Sequence, residues 1–250
     1  MRMYNRFFAI AVFLGCGLAA HADSEGGLIL GVEAEKRLTK KWDLGLEADM
    51  RSRNNFRTMD RWGFGLGTGY KFNKYLKVDV GYKLLDYNMR EKITYKTSGA
   101  YNHWRPSYWG IKHRVYASVT GQYKFPFNLK IALRERWQMT CRPEKTVNRW
   151  DFDDEAWEDK VRASRCKHQL RSRLEISYDK KRALFTPFAS VELYNSWNLE
   201  KIRYTVGTDL RLSKQHSLTA FYRFQNQREV DEDEYDPDMH FIGLGYKFKF

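Results

Sequence analysis

The chain has 250 residues, of which 16% are aromatic and 30% charged, with five prolines and a formal net charge of +13. A single domain accommodates that length, but so many rings beside so many charges exclude an ordinary soluble core unless every element keeps its apolar and charged side chains apart. The basic excess raises nucleic acid or an anionic surface as a partner, and the placement of the cations decides between them.

At the amino terminus Arg2 and Arg6 precede an apolar run from Phe7 to Ala20, and Ala20-His21-Ala22 supplies a small-residue cleavage pattern. Residues 1–22 are therefore expected to be a signal peptide and 23–250 one barrel domain. The apolar run, about 14 residues, is short for a spanning helix, which needs about 20. Cys16, after Leu14-Gly15, offers a rival reading as a lipidated cysteine. The downstream site fits better, and Cys16 then leaves with the signal.

Beyond residue 26 the hydrophobic period is two. Strands are expected at 27–38 and 42–53, which give Glu33, Glu35, Asp43, Glu47 and Asp49 to an inward face. The next, 61–72, sets Trp62, Phe64, Leu66, Thr68, Tyr70 and Phe72 against Gly63, Gly65, Gly67, Gly69 and Lys71. At 75–87 Leu76, Val78, Val80, Tyr82 and Leu84 back onto Lys77, Asp79, Gly81 and Lys83. Strand 110–124 turns Lys112, Arg114 and Lys124 inward, and 129–141 turns Lys130, Arg134, Arg136 and Gln138 inward behind Leu129, Ile131, Leu133, Trp137 and Met139. Strand 165–178 adds Arg171 and Arg173, 184–196 follows, 201–212 adds Arg203 and Arg211, 217–228 adds Arg223, and 239–250 ends the chain.

Short connections (39–41, 73–74, 125–128, 179–182, 213–216) alternate with longer ones at 54–60, 88–109, 142–164, 197–200 and 229–238, although 197–200 fits poorly. Alternation of this kind is the pattern of an outer-membrane barrel, whose bacterial members have even strand numbers. Eleven strands are read, so either 23–30 threads the lumen or a loop such as 88–109 hides strand structure. The expected fold class is an all-β, antiparallel transmembrane β-barrel of 10 to 12 strands. Long strands, alternating loops and rings gathered at strand ends favour it over a soluble sandwich. Those rings are Trp42, Trp62, Tyr75, Trp109, Phe125, Phe127, Trp137, Tyr178 and Trp197, placed to form two interfacial girdles.

The last strand, with Gly245, Tyr246, Phe248 and terminal Phe250, resembles the carboxy-terminal signal by which outer-membrane barrels are recognised by their assembly machinery. The mature chain as a whole resembles a family of uncharacterised outer-membrane barrels, a domain of unknown function. The stretches that carry the resemblance are Val32 to Leu38, Tyr70 to Lys74, Arg171 to Leu174, Thr186 to Phe188 and His240 to Tyr246. It implies a fold and a location in the bacterial outer membrane, with no activity to carry over.

The inward charges admit two readings. In the favoured one the acidic residues of the first two strands pair with the basic residues of the later ones and fill a narrow lumen. In the other, surplus cations make an anion-attracting passage. The acidic runs 151–155 and 231–234, with Asp236 and Asp238, lack the spacing of a calcium loop and read as solvated loop charge. Nucleic acid is disfavoured because the cations occupy alternate strand positions and form no single patch. No nucleophile elbow, metal-spaced histidine pair or phosphate loop appears, so no enzyme, metal or cofactor is expected. His103 with Asp86 or Asp60 would be the first catalytic suspects, whereas His113, His168 and His240 fall on the lipid-facing side. The expected role is structural, or a narrow conduit for small solutes. The alternative is an enzyme or surface receptor acting through loops 88–109 and 142–164. Expected partners are outer-membrane lipid, lipopolysaccharide and the barrel assembly machinery.

Cys141 and Cys166 share the parity of Leu133, Met139, Leu170 and Leu174, and a hairpin register matching Leu133 with Leu174 sets the two cysteines opposite each other. In the oxidising periplasm a disulfide is expected across the base of 142–164.

Overall fold

The computed structural model describes residues 24–180, 183–228 and 237–250. The expected signal peptide with Cys16, and the run 231–234 with Asp236, lie outside them. No helix among the described residues is long and apolar enough to cross a membrane.

Eleven strands close a barrel. In chain order they are β1 (Ser24–Arg37), β2 (Trp42–Arg53), β3 (Thr58–Lys71), β4 (Leu76–Met89), β7 (Tyr108–Lys124), β8 (Leu129–Arg142), β11 (Arg165–Tyr178), β12 (Phe185–Ser196), β13 (Asn198–Arg211), β14 (His216–Gln227) and β15 (Asp238–Lys249). The four remaining strands, β5 (Lys92–Tyr95), β6 (Tyr101–Arg105), β9 (Lys145–Asp151) and β10 (Ala156–Arg162), form a separate sheet in the order β10-β9-β6-β5. The sheet is built by the two longest connections, joined where His103 meets Asp151 and Trp104 meets Trp150. The 88–109 stretch does contain strands, but they add none to the barrel.

The expectation of an even strand number does not hold. When every connection reverses direction, an odd count leaves the first and last strands pointing the same way. Accordingly β1 pairs with β15 in parallel, from Ser24 opposite Asp238 to Glu35 opposite Lys249, while the other barrel neighbours are antiparallel. The parallel ladder satisfies the two edges that would otherwise stay open. Residues 24–30 are thus wall, and do not thread the lumen.

Side-chain chemistry recurs at the tight turns of one end. Thr39 Oγ1 accepts the backbone N–H groups of Lys41 and Trp42 at 3.2 and 3.0 Å. Asn73 Oδ1 does the same for Tyr75 and Leu76, and Ser213 Oγ for Gln215 and His216. These short polar side chains mimic a backbone turn and stop the strand. The opposite end departs from the expected pattern of long loops in two places. Residues 54–57 make a tight turn with φ of 51°, 52° and 71° at Asn54, Asn55 and Phe56, and Trp197 alone joins β12 to β13 at φ 78°. Asn tolerates left-handed backbone, whereas Phe56 and Trp197 adopt it against their Cβ sterics.

The distribution of polarity is inverted. The buried set contains Arg51, Arg53, Asp60, Lys112, Gln138, Glu192 and Gln225, while Phe64, Leu66, Leu133, Ile242 and Leu244 are half or more exposed. A continuous apolar band around the outside and charges within is what a barrel wall in hydrocarbon requires. At the short-turn end Trp42, Tyr70 and Phe72 make consecutive ring contacts, as do Tyr75, Tyr123, Phe125 and Phe127. Histidines join this outer surface. His113, His240 and His216 each place Nδ1 2.6 Å from a tyrosine hydroxyl, of Tyr82, Tyr222 and Tyr246 respectively, and His168 stacks on Trp137.

Candidate functional site

Inward positions of β3 are all glycine from Gly63 to Gly69, and this leaves the lumen room for the side chains of its neighbours. A Cβ on Gly65 would fall 2.5 Å from Glu47, and one on Gly81 2.5 Å from the Tyr116 hydroxyl. Tyr116 therefore lies close against the wall because β4 has no side chain beneath it.

The acidic residues of the first two strands sit near that wall, and their partners are local. Asp43 bonds Lys71 and Lys77 at 3.1 and 3.3 Å, Glu47 bonds Lys83 at 3.0 Å, and Asp49 bonds Arg61 at 2.8 Å and also Lys83. Glu33 and Glu35 both receive Lys247 at 2.7 Å. Among the described residues these carboxylates make no ion pair with Arg134, Arg136, Arg171 or Arg173. Lysines one or two strands away reach the carboxylates first.

Arg134 of β8 and Arg171 of β11 converge instead on Glu192 of β12, joined by Arg203 of β13. Arg134 Nη2 and Arg171 Nη2 each lie 2.8 Å from Glu192 Oε1, and Arg203 Nη1 is 3.8 Å from Oε2, which also accepts the Tyr194 hydroxyl at 3.0 Å. Arg173 bonds Glu175. Arg223 donates to Thr205 and faces the Phe221 ring. Lys130 sits opposite Lys124 and Ser177 towards the short turns, and Lys124 bonds Asp179 at 2.9 Å. Arg211 is exposed at the short-turn end.

The longer reach of the lumen lies towards the four-stranded sheet. A cavity of about 620 Å³ runs from Ile93 and Arg105 down to Tyr116 and Arg136, and sixteen of its lining residues are Arg or Lys against four Asp or Glu. Lys112 lies over the Tyr87 ring at 4.7 Å and Arg136 over the Tyr116 ring at 4.2 Å. Arg114 Nε donates to Thr140 Oγ1 at 2.9 Å. A smaller cavity of about 130 Å³ at the other end is lined by Glu33, Glu35, Asp43 and Asp79, and shares Glu47 and Tyr116 with the first. These two residues form the floor between a cationic chamber and an acidic one. Parity identified Arg114 and Arg136, but Arg51, Arg61, Tyr87, Tyr116 and Glu192 were not singled out, although each sits on the inward register of its strand.

The catalytic suspects separate. Asp60 is bound by Arg51 at 2.5 Å and by Arg53, and Asp86 lies in register with Trp62 and Ile111 of the outer face. His103 Nε2 meets Asp151 Oδ2 at 3.2 Å and Glu158 Oε1 at 3.4 Å in the outer sheet. Backbone donation from Asp153 holds the Asp151 carboxyl below its ordinary range. Arg149 also bonds Glu158, so the group reads as an ion-pair lattice tying β6, β9 and β10 together.

Cys141 and Cys166 form a disulfide with Cα atoms 4.0 Å apart, directly opposite in register. The terminal strand places Gly245 opposite Gly31 and Thr219, sets Phe248 edge-on to Phe250 at 4.4 Å, and donates the Phe250 N–H to Glu35 O.

A family model described as "Protein of unknown function (DUF2490)" matches residues 27–236. No curated protein matches the chain. Among solved structures, the β domain of the Bordetella autotransporter BrkA is similar at 14% identity with a TM-score of 0.53, over 86% of each chain. That likeness shows the fold, a closed barrel of the outer-membrane kind.

Proposed function

The chain belongs to the DUF2490 family of proteins of unknown function, and we propose that it is an outer-membrane barrel that passes small anionic solutes through a narrow, cation-lined lumen. The observation that carries this reading is the lining of the larger cavity, sixteen basic residues against four acidic. A low-dielectric wall around charges of one sign focuses their field and raises the local concentration of counter-ions. The apolar outer band, the rings at its short-turn end and the closed ladder support residence in the outer membrane, with the tight turns facing the periplasm. An amino-terminal signal would direct export, and the strand ending in Tyr246, Phe248 and Phe250 would engage the assembly machinery. No catalytic role is proposed.

Glu47 and Tyr116 line both chambers, with Arg136 over the Tyr116 ring, so a solute crossing from one to the other passes these side chains. Conductance in a planar bilayer under a potassium chloride gradient tests the reading. The expected result is a small current whose reversal potential favours chloride, larger in Tyr116→Ala. Absence of current above the bare membrane in both proteins removes the conduit.

A further inference from the structure

The cationic chamber is more specific than a general attraction for anions requires. Most of the inward charges described above have a carboxylate within reach, but Arg114 and Arg136 have none within ion-pair distance among the described residues. Arg114 donates to the neutral Thr140 hydroxyl, and it stands between the Tyr87 and Tyr194 side chains with the like charges of Arg61 and Arg171 also near it. Arg136 covers the Tyr116 ring, and its Nε is buried without a hydrogen-bond partner. Cations held half-buried and crowded by other cations are costly unless an anion joins them. Their position at the floor of an accessible cavity leaves that place to a ligand.

We infer that the chamber is a binding site for a soluble, multiply charged phosphate-bearing anion, held at its floor by Arg114 and Arg136. This rests on the anion-accepting lumen proposed above and adds the ligand class. Three features select it. The planar guanidinium fork matches the oxygens of phosphate in pairs, which a monatomic ion cannot exploit. Several cations gathered in one place favour a compact group carrying about two charges over a carboxylate carrying one. A volume of about 620 Å³ falls within the range of small-molecule sites, and the rings of Tyr87, Tyr116 and Tyr194 on its lining suit the body of a phosphorylated small molecule. The floor lies deep inside a closed wall, so the phosphate of a bilayer lipid does not reach it.

The test uses inorganic pyrophosphate as the probe, with the full-length barrel in detergent at constant ionic strength, read by titration calorimetry. The expected result is one site per chain that chloride does not fill. Arg114→Gln and Arg136→Gln should each weaken binding at least tenfold. Arg136→Lys should recover part of the loss, and Lys124→Gln at the short-turn rim should change nothing. Heat-induced gel mobility checks that each variant is folded. If a variant does not fold, block of the wild-type current by pyrophosphate from the long-loop side alone decides. Displacement of pyrophosphate by a soluble sugar phosphate supports the assignment, whereas displacement only by micellar diphosphorylated lipid A overturns it in favour of a headgroup. Binding no tighter than that of chloride, or unchanged in the Arg114→Gln/Arg136→Gln double variant, also overturns it. A chloride-selective channel indifferent to pyrophosphate defeats this inference and spares the conduit; tight pyrophosphate binding without current does the reverse.

Discussion

Arg171 on β11 and Glu192 on β12 are joined across neighbouring strands by a 2.8 Å contact between Nη2 and Oε1, with little of either side chain exposed. The same carboxylate oxygen receives Arg134 at 2.8 Å, so with Arg203 three arginines share one anion. Glu192→Gln keeps the shape and removes the charge. Loss of one partner from a buried pair costs roughly 3–5 kcal/mol. Thermal unfolding in detergent should show the largest fall in midpoint for this variant among inward carboxylate substitutions. A midpoint equal to wild type would mean that the arginines are compensated by something other than Glu192.

The outer face is not wholly apolar: besides Asp86, it carries a carboxylate on β8. Glu135 shares the parity of Leu133 and Trp137 and accepts the Ser172 hydroxyl at 2.6 Å. A charge facing lipid is unfavourable, with arginine at the midplane costing about 2–4 kcal/mol and acidic groups less. Leu133→Arg should therefore impair refolding into lipid vesicles by roughly that amount. Glu135→Leu should fold at least as well as wild type. Arg134→Leu, one residue away on the opposite face, should not weaken lipid insertion, because Arg171 still holds Glu192. If Leu133→Arg refolds normally while Arg134→Leu fails to insert, the two faces are reversed.

Much of the wall was legible because a strand in a barrel obeys one local rule. Alternation put Arg134 and Arg171 on the face opposite Leu133 and Leu174, and it needed no knowledge of the partner strand. The partners were harder to read. Which carboxylate Arg171 meets depends on side-chain reach between strands, and the five acidic residues of β1 and β2 were already engaged by Lys71, Lys77, Lys83, Arg61 and Lys247. Glu192 lay on an inward position of its strand but was a single acid among apolar neighbours, whereas the acidic cluster drew attention. Strand structure in 88–109 was one of the alternatives, but the outer sheet itself was not legible, because β5, β6, β9 and β10 are at most seven residues long and pair between two separate connections. The eleven strands were counted from the alternation, but the parallel β1–β15 closure that makes an odd number work is a property of the closed ring, and no single segment reports it.

The disulfide predicts a measurable difference between oxidised and reduced barrels. Cys141 and Cys166 are 25 residues apart, and closing a loop of about that size restricts the unfolded chain by roughly 3 kcal/mol. The bridge sits between β8 and β11 beneath the β9–β10 hairpin. Reduction or Cys141→Ser should lower the unfolding midpoint and make residues 143–164 more susceptible to protease, with the barrel itself resistant. Intact-mass analysis after alkylation without reductant should find both thiols protected; two alkylated cysteines would remove the bridge.

The parallel seam offers the most direct test of the eleven-stranded closure. Leu30 stands opposite Leu244 and Leu28 opposite Ile242, all on strands whose neighbours are otherwise antiparallel. Cα atoms of directly opposed residues come within the distance that a disulfide spans. Leu30→Cys with Leu244→Cys should therefore cross-link on mild oxidation, and the product should migrate as a closed loop on a denaturing gel until it is reduced. A slip of two residues keeps the same face outward but moves the partner along the strand, so Leu28→Cys with Leu244→Cys should cross-link poorly. The native Cys141–Cys166 bridge is on a distant part of the wall and can be replaced by serines to simplify the readout. Efficient cross-linking of the offset pair with none in the matched pair would require a different register. No cross-link in either pair, in protein shown to be folded by heat-modified mobility, would mean that β1 does not close the ring against β15 and that the barrel is sealed by another pairing.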